Sequence, residues 1–134
     1  MNEADVASRI EARTPGVSCR VFGGDLDYDI QVCRKGRAVA IVEVKRRNIR
    51  FTQYPTIHIS ARKLEKCVTL AEDSGTKFFF VAYCDDGMNV VEVTREKLNR
   101  WPRKTGGRMD RAHLKITTDI EQLVDIPVSE FKPL

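Results

Sequence analysis

Three acidic residues alternate along one short stretch, Asp25, Asp27 and Asp29. Thirteen residues separate Asp29 from Glu43, the last five of them an apolar run, Ala38-Val39-Ala40-Ile41-Val42, that leads into Glu43-Val44-Lys45. If both stretches are strands, side chains two apart share a face, so Asp27 with Asp29, and Glu43 with Lys45, form one patch when the strands pair. Carboxylates a few ångströms apart repel, and a divalent cation removes the repulsion. Hard oxygen donors of this kind select Mg²⁺ or Mn²⁺ rather than zinc. A lysine beside such an ion would orient an attacking water and offset charge on a five-coordinate phosphorus. The competing reading is a surface hairpin in which Asp27 and Asp29 form salt bridges with Lys45 and no chemistry is done. Against it stands the cost of Glu43 and Lys45 within an Ala/Val/Ile strand, unless they pair or face a solvated cleft.

The elements that must position this patch follow from periodicity. Leu26–Cys33 alternates, with Leu26, Tyr28, Ile30 and Val32 on one side; Arg34-Lys35-Gly36-Arg37 turns; Ala38–Lys45 returns as an apolar strand. A turn centred on Gly36 gives opposed residues an index sum of 72, which sets Asp29 against Glu43 and Asp27 against Lys45. A slip of one residue would send every side chain to the other face. Upstream, Glu3 to about Ala12 is a helix with Val6 and Ile10 on one face, stopped by Pro15-Gly16, and Val17–Phe22 is a strand. Downstream, Arg46–Ile59 reads as a loop or ragged strand. Ser60 caps a helix to about Asp73 with Leu64, Cys67, Val68 and Ala71 on its buried face. Lys77–Cys84 is a buried strand, and Asp85-Asp86-Gly87 turns into Asn89–Val93. A short helix over Arg95–Trp101, a Gly-rich basic loop from Lys104 to Arg108, and strand-like or helical fragments around Leu123–Phe131 complete the chain.

The 134 residues are expected to form a single domain, with a core over about 3–94 and a basic C-terminal extension over about 95–134. At 42% hydrophobic and 31% charged, the chain is too apolar for disorder. It lacks an apolar run of membrane-spanning length, and the N-terminus lacks a signal-peptide core, so a cytoplasmic protein is expected. Four cysteines without a CxxC pair and two histidines, His58 and His113, argue against a zinc site; the cysteines read as core residues and the histidines as structural. Net charge is +4 but segregated: −3 over 1–30, +8 over 31–66, −4 over 67–94, +6 over 95–115 and −3 over 116–134. Two basic blocks suit a polyanion. In the first, Arg46, Arg47 and Arg50 follow the Glu43–Lys45 strand, and Gln53 and Tyr54 add a polar donor and an aromatic for stacking. Arg62 and Lys63 then stand in the first turn of the Ser60 helix, where cations oppose the helix dipole and a phosphate would offset them. In the second, Lys104 and Arg108 flank Gly106-Gly107 as a candidate clamp. Clustered surface cations without a ligand remain the plain alternative.

Asp29, thirteen residues, then Glu43-Val44-Lys45 resembles the signature of the PD-(D/E)XK nuclease superfamily. The order helix, three-strand meander, helix, strand is similar to its αβββαβ core over roughly residues 3–84. Small phage-type and Holliday-junction-resolvase-like members are the most similar in size and charge. The resemblance implies an α/β, restriction-endonuclease-like fold: a mixed central sheet flanked by helices, plus a C-terminal extension. It implies a Mg²⁺- or Mn²⁺-dependent DNA endonuclease of a bacterial or phage-infected cell, acting as a homodimer on duplex or branched DNA and leaving 5′-phosphate and 3′-hydroxyl ends. Asp29 and Glu43 would hold the metal with the Val44 carbonyl, and Lys45 would position the water. An acid on the first helix completes some such sites, and Glu11 matches that place, with Glu3 as the other candidate. The residue before Asp29 is Tyr28 where the family pattern has proline, so Asp27 stays a rival ligand. The alternative function is a non-catalytic DNA- or RNA-binding module on the same scaffold.

Overall fold

A computed structural model describes residues 2–22, 27–107 and 120–134. In chain order the elements are α1 (Asn2–Arg13), β1 (Val17–Val21), β2 (Ile30–Arg34), β3 (Arg37–Arg46), β4 (Thr56–Ser60), α2 (Ala61–Ser74), β5 (Lys77–Cys84), β6 (Gly87–Glu92), α3 (Arg95–Arg100), β7 (Arg103–Gly107), β8 (Ile120–Pro127), a 3₁₀ turn over Val128–Glu130 and β9 (Lys132–Pro133). Six strands form a mixed sheet of order β1-β2-β3-β5-β6-β9, in which only β3 and β5 run parallel. Expected helix, meander, helix, strand and mixed sheet are all present in their expected order.

Ala40 to Val44 of β3 are all buried, because helices cover both faces of this part of the sheet. On one face Val6 and Ala7 of α1 pack over Ile30, Val32, Ala40, Val42, Val44 and Val81. On the other, Leu64, Cys67, Val68 and Ala71 of α2 pack over Ile41, Phe78, Phe80 and Ala82. Glu43 and Lys45, alternating with Val42 and Val44, therefore belong to the α2 face. Helix α2 starts where Ser60 accepts a hydrogen bond from the Lys63 N–H at 3.2 Å, and stops at Gly75, whose φ of 68° closes a left-handed cap.

The hairpin reaches its expected register by an unexpected route. Lys35 and Gly36, with φ of 51° and 76°, form the tight primed turn that matches strand twist. That turn pairs Arg34 with Arg37 and Cys33 with Ala38, an index sum of 71. A bulge then leaves Val39 over, so that Val32 pairs with Ala40, Gln31 with Ile41 and Ile30 with Val42, a sum of 72. Strand β2 begins at Ile30 rather than near Leu26, which lies outside the described residues together with Asp25. Residues 27–29 bend, so Tyr28 leaves the Ile30/Val32 face: it packs against the α2-side core and meets Phe22 edge-on at 5.8 Å.

One expectation for the rest of the chain is corrected, that of a loop over the Gly-rich basic segment, and two are made more definite. The Arg46–Ile59 stretch contains a strand, β4, and the Gly-rich basic segment is β7 as far as Gly107. The C-terminal fragments include an eight-residue strand, β8, which joins the other two in a second sheet of order β4-β8-β7. Its Ile57, Ile59, Val124 and Ile126 join the α2-side core, so α2 lies between the two sheets.

Candidate active site

Strand β2 pairs with β3 only as far as Ile30 and Val42. Just beyond, the Asp29 N–H donates to the Val42 carbonyl at 3.0 Å, and the Asp29 carboxylate accepts the Val44 N–H at 2.8 Å. The side chain thus takes a backbone donor that the shortened β2 leaves over. The N–H and C=O of one strand residue point to the same neighbour, so the Val44 carbonyl is directed to the edge where Asp29 stands.

Glu43, the β3 residue just past the last pair with β2, is 3% exposed and is the only charged residue that is fully buried among those described. Its Oε1 has no hydrogen-bond partner. Burial, followed by the repulsion of Asp29, pushes its pKa up to about 7, against the pull of Lys63 and Lys45. Lys45, two residues along β3 on the same face, is half-buried. Lys63, from the first turn of α2, brings its Nζ to 3.6 Å from Glu43 Oε1. The Cys67 thiol donates to the Asp27 carbonyl at 3.3 Å. Burial and then Glu43 push its pKa up to about 12, so it stays an uncharged thiol rather than a nucleophile or metal ligand.

Of the expected residues, Asp29, Glu43, Val44 and Lys45 come together. Asp27 and Glu11 do not join them. The Asp27 carboxylate is exposed and pairs with Lys66 at 3.3 Å, because the bend before Ile30 ends the alternation that would have set it opposite Lys45. Glu11 accepts the Cys19 N–H at 2.8 Å, and Cys19 is level with Val32 and Ala40, three residues along β3 from Glu43. Lys63, expected at a phosphate, arrives instead. The signal was in its position: one residue before Leu64 and four before Cys67, it borders the buried stripe of α2.

Two carboxylates and a carbonyl suit a small divalent ion, and Glu43 Oε1 is a buried carboxyl oxygen without a donor, so the residues fit Mg²⁺ or Mn²⁺. Such ions retain several waters, so no group of three or more His, Cys, Asp and Glu side chains is needed; among the described residues there is none.

The expected nucleic-acid contacts divide by partner. Arg46 is occupied within the fold: it donates to the Tyr83 carbonyl at 3.1 Å, pairs with Asp85 at 2.7 Å and lies over the Tyr83 ring. Arg47 donates to the His58 carbonyl at 2.9 Å, and burial lowers its pKa from the ordinary value. Lys104 pairs with Asp125 at 3.3 Å. Arg50 and Arg62 are exposed. Gln53 accepts the Arg50 N–H and reaches the hydroxyl of Tyr54, which is 54% exposed. Burial and the cations Lys104 and Arg47 hold His58 below the usual histidine range. Cys67 and Cys84 are buried as expected, while Cys19 and Cys33 are only half so. Arg108 and His113 lie outside the described residues. No helix among those described is long and apolar enough to cross a membrane.

A mixed sheet between helices, with an acid at the end of one strand facing a Glu-Val-Lys on the next, defines the PD-(D/E)XK nuclease class. Residues 1–134 match the model of the family described as "Phage putative PDDEXK endonuclease", and the chain belongs to this family. No curated protein matches it. Solved structures share the fold, two of them as follows. One is Hjc of Archaeoglobus fulgidus, a Holliday junction resolvase from an archaeal hyperthermophile. It has a TM-score of 0.63 and 15% identity over 98% of this chain and 88% of that one. The other is a nuclease from a fusselovirus, with a TM-score of 0.54 and 16% identity over 98% and 80%.

Proposed function

We propose that this endonuclease hydrolyses phosphodiester bonds of DNA with a divalent cation, Mg²⁺ or Mn²⁺, held by Asp29, Glu43 and the Val44 carbonyl. The observation that carries the reading is Glu43: a carboxylate 3% exposed, beside a second acid, with an oxygen that no donor satisfies. A bound ion would neutralise the two acids, polarise the phosphate and lower the pKa of water. Lys45, on the same face as Glu43, orients the attacking water and presents its ammonium to the charge that develops on the phosphoryl oxygens. Asp29 is held for its role by the Val44 N–H. In-line attack leaves a 5′-phosphate and a 3′-hydroxyl. Arg50, Arg62, Gln53 and Tyr54 contact the backbone and bases.

One chain holds one such site, so cutting both strands requires a homodimer. Light scattering on the purified protein should return twice the chain mass. The resolvase named above favours a branched substrate.

A panel of branched, nicked, linear and single-stranded DNAs, with an RNA duplex, incubated with Mg²⁺ or Mn²⁺, tests the whole reading. Cleavage is expected only with metal, and strongest on branched DNA. Glu43→Ala and Lys45→Ala should each lower the rate by about a hundredfold or more with the circular-dichroism spectrum unchanged. Binding without cleavage of any substrate would make the chain a binding module instead, and cleavage of RNA alone would change the substrate class.

A further inference from the structure

Lys63 is placed at a local cost. Helix α2 carries no acid in its first turn, and a cation there opposes the helix dipole. Yet the position is firmly determined. The Lys63 N–H donates to the Ser60 cap, and Leu64 beside it and Cys67 one turn on are both 0% exposed. The backbone that carries the side chain is thus held, and the ammonium reaches 3.6 Å from Glu43 Oε1. This distance is too long for a strong hydrogen bond but short for two charges, one of them almost wholly out of water. The oxygen it faces is the one without a donor. Asp29 and Lys45 come from the hairpin, whereas this cation comes from a separate element and enters from the α2 side.

Resting on the proposed metal site, we infer that Lys63 is a place-holder for the metal. Its ammonium neutralises Glu43 while the site is empty and must be withdrawn from Oε1 for a divalent cation to bind, so Lys63 sets the metal affinity of the enzyme. It is a positioning residue and not one that touches the reacting atoms. Two cations do not share one carboxylate oxygen in a half-dry pocket without repelling, so the lysine lowers metal affinity by an amount that its removal restores. The protein is thereby spared an unpaired buried anion before metal and DNA arrive.

The test is Mg²⁺ binding to the DNA-free protein, followed by titration calorimetry at pH 8.5, where a proton on Glu43 no longer competes. Lys63→Met keeps the stem and removes the charge; it should bind Mg²⁺ at least about threefold more tightly than wild type. Lys63→Arg, which keeps the charge, should bind no more tightly than wild type. Glu43→Gln should lose the binding altogether. Equal or weaker binding by folded Lys63→Met, or tightening by Lys63→Arg as large as that by Lys63→Met, overturns the place-holder while leaving the metal site intact. Wild-type binding that survives Glu43→Gln would overturn the metal site itself. If Lys63→Met does not fold, Lys63→Gln carries the same expectation.

Discussion

Glu43 keeps its proton in the folded, metal-free chain up to about pH 7, whereas unfolded it releases it near 4.5. Because the folded pKa is the higher one, the stability this group contributes is fully present below pH 4.5 and is lost as pH rises through 7. At ~1.4 kcal/mol per unit the loss is about 3 kcal/mol. In EDTA, Glu43→Gln should therefore melt several degrees above wild type at pH 8, with the difference shrinking towards pH 5. A melting difference that does not change with pH would mean that the carboxyl ionises freely. This residue was legible in the sequence as one of a pair, since acid, apolar run and Glu-Val-Lys are all local. Its burial was not legible, and neither was Lys63, because the contact joins residues 43 and 63 through a helix whose azimuth only the folded core determines.

At the scale of elements, α2 carries the most. It lies between two sheets, presents Lys63 and Lys66 to the acids, and is tied to α3 by Arg95, which pairs with Glu65 and, at 2.9 Å, with Glu72. Its start depends on Ser60, whose hydroxyl oxygen accepts from the Lys63 N–H and which is 3.0 Å from a Glu121 carboxylate oxygen. Ser60→Ala should cost about 1 kcal/mol, seen as a fall of a few degrees in Tm; an unchanged Tm would show that the cap is dispensable. The helix was readable from Ser60 and from the spacing of Leu64, Cys67, Val68 and Ala71. Strand β7 was not, and β4 and β8 were readable only as ragged or strand-like pieces, for a physical reason. Thr56–Ser60 is short and half apolar, and becomes a strand by pairing with Leu123–Pro127, more than sixty residues away. Lys104-Thr105-Gly106-Gly107 has turn-like composition and is a strand because Leu123 and its neighbours pair with it. Gly106 meets a need there: a Cβ would stand 2.2 Å from Leu123 Cδ1. Local periodicity carries no record of such partners.

For the molecule as a whole, the +8 block divides into cations that hold the fold and cations that face solvent. Arg46 and Arg47 have protein partners, as does Lys104 of the second block, whereas Arg50 and Arg62 are exposed. Measured on DNA in EDTA, the logarithmic salt dependence of binding should flatten by about one unit for each of Arg50→Ala and Arg62→Ala. Arg46→Ala should change Tm more than the salt slope. The reverse ranking would place the DNA on the Asp85 side of the sheet.

The surplus residue at Val39 behaves as a parity bit for the whole enzyme. The tight Lys35-Gly36 turn alone would pair Ile30 with Ile41 rather than Val42 and turn Glu43 and Lys45 under α1. One residue too many in the ladder moves the chemistry to the opposite side of the sheet, where α2 and its lysines stand. The count between Asp29 and Glu43 is thus coupled to the turn. A chain with this turn and no bulge would need a spacing one residue shorter to present the same acids to the same helix.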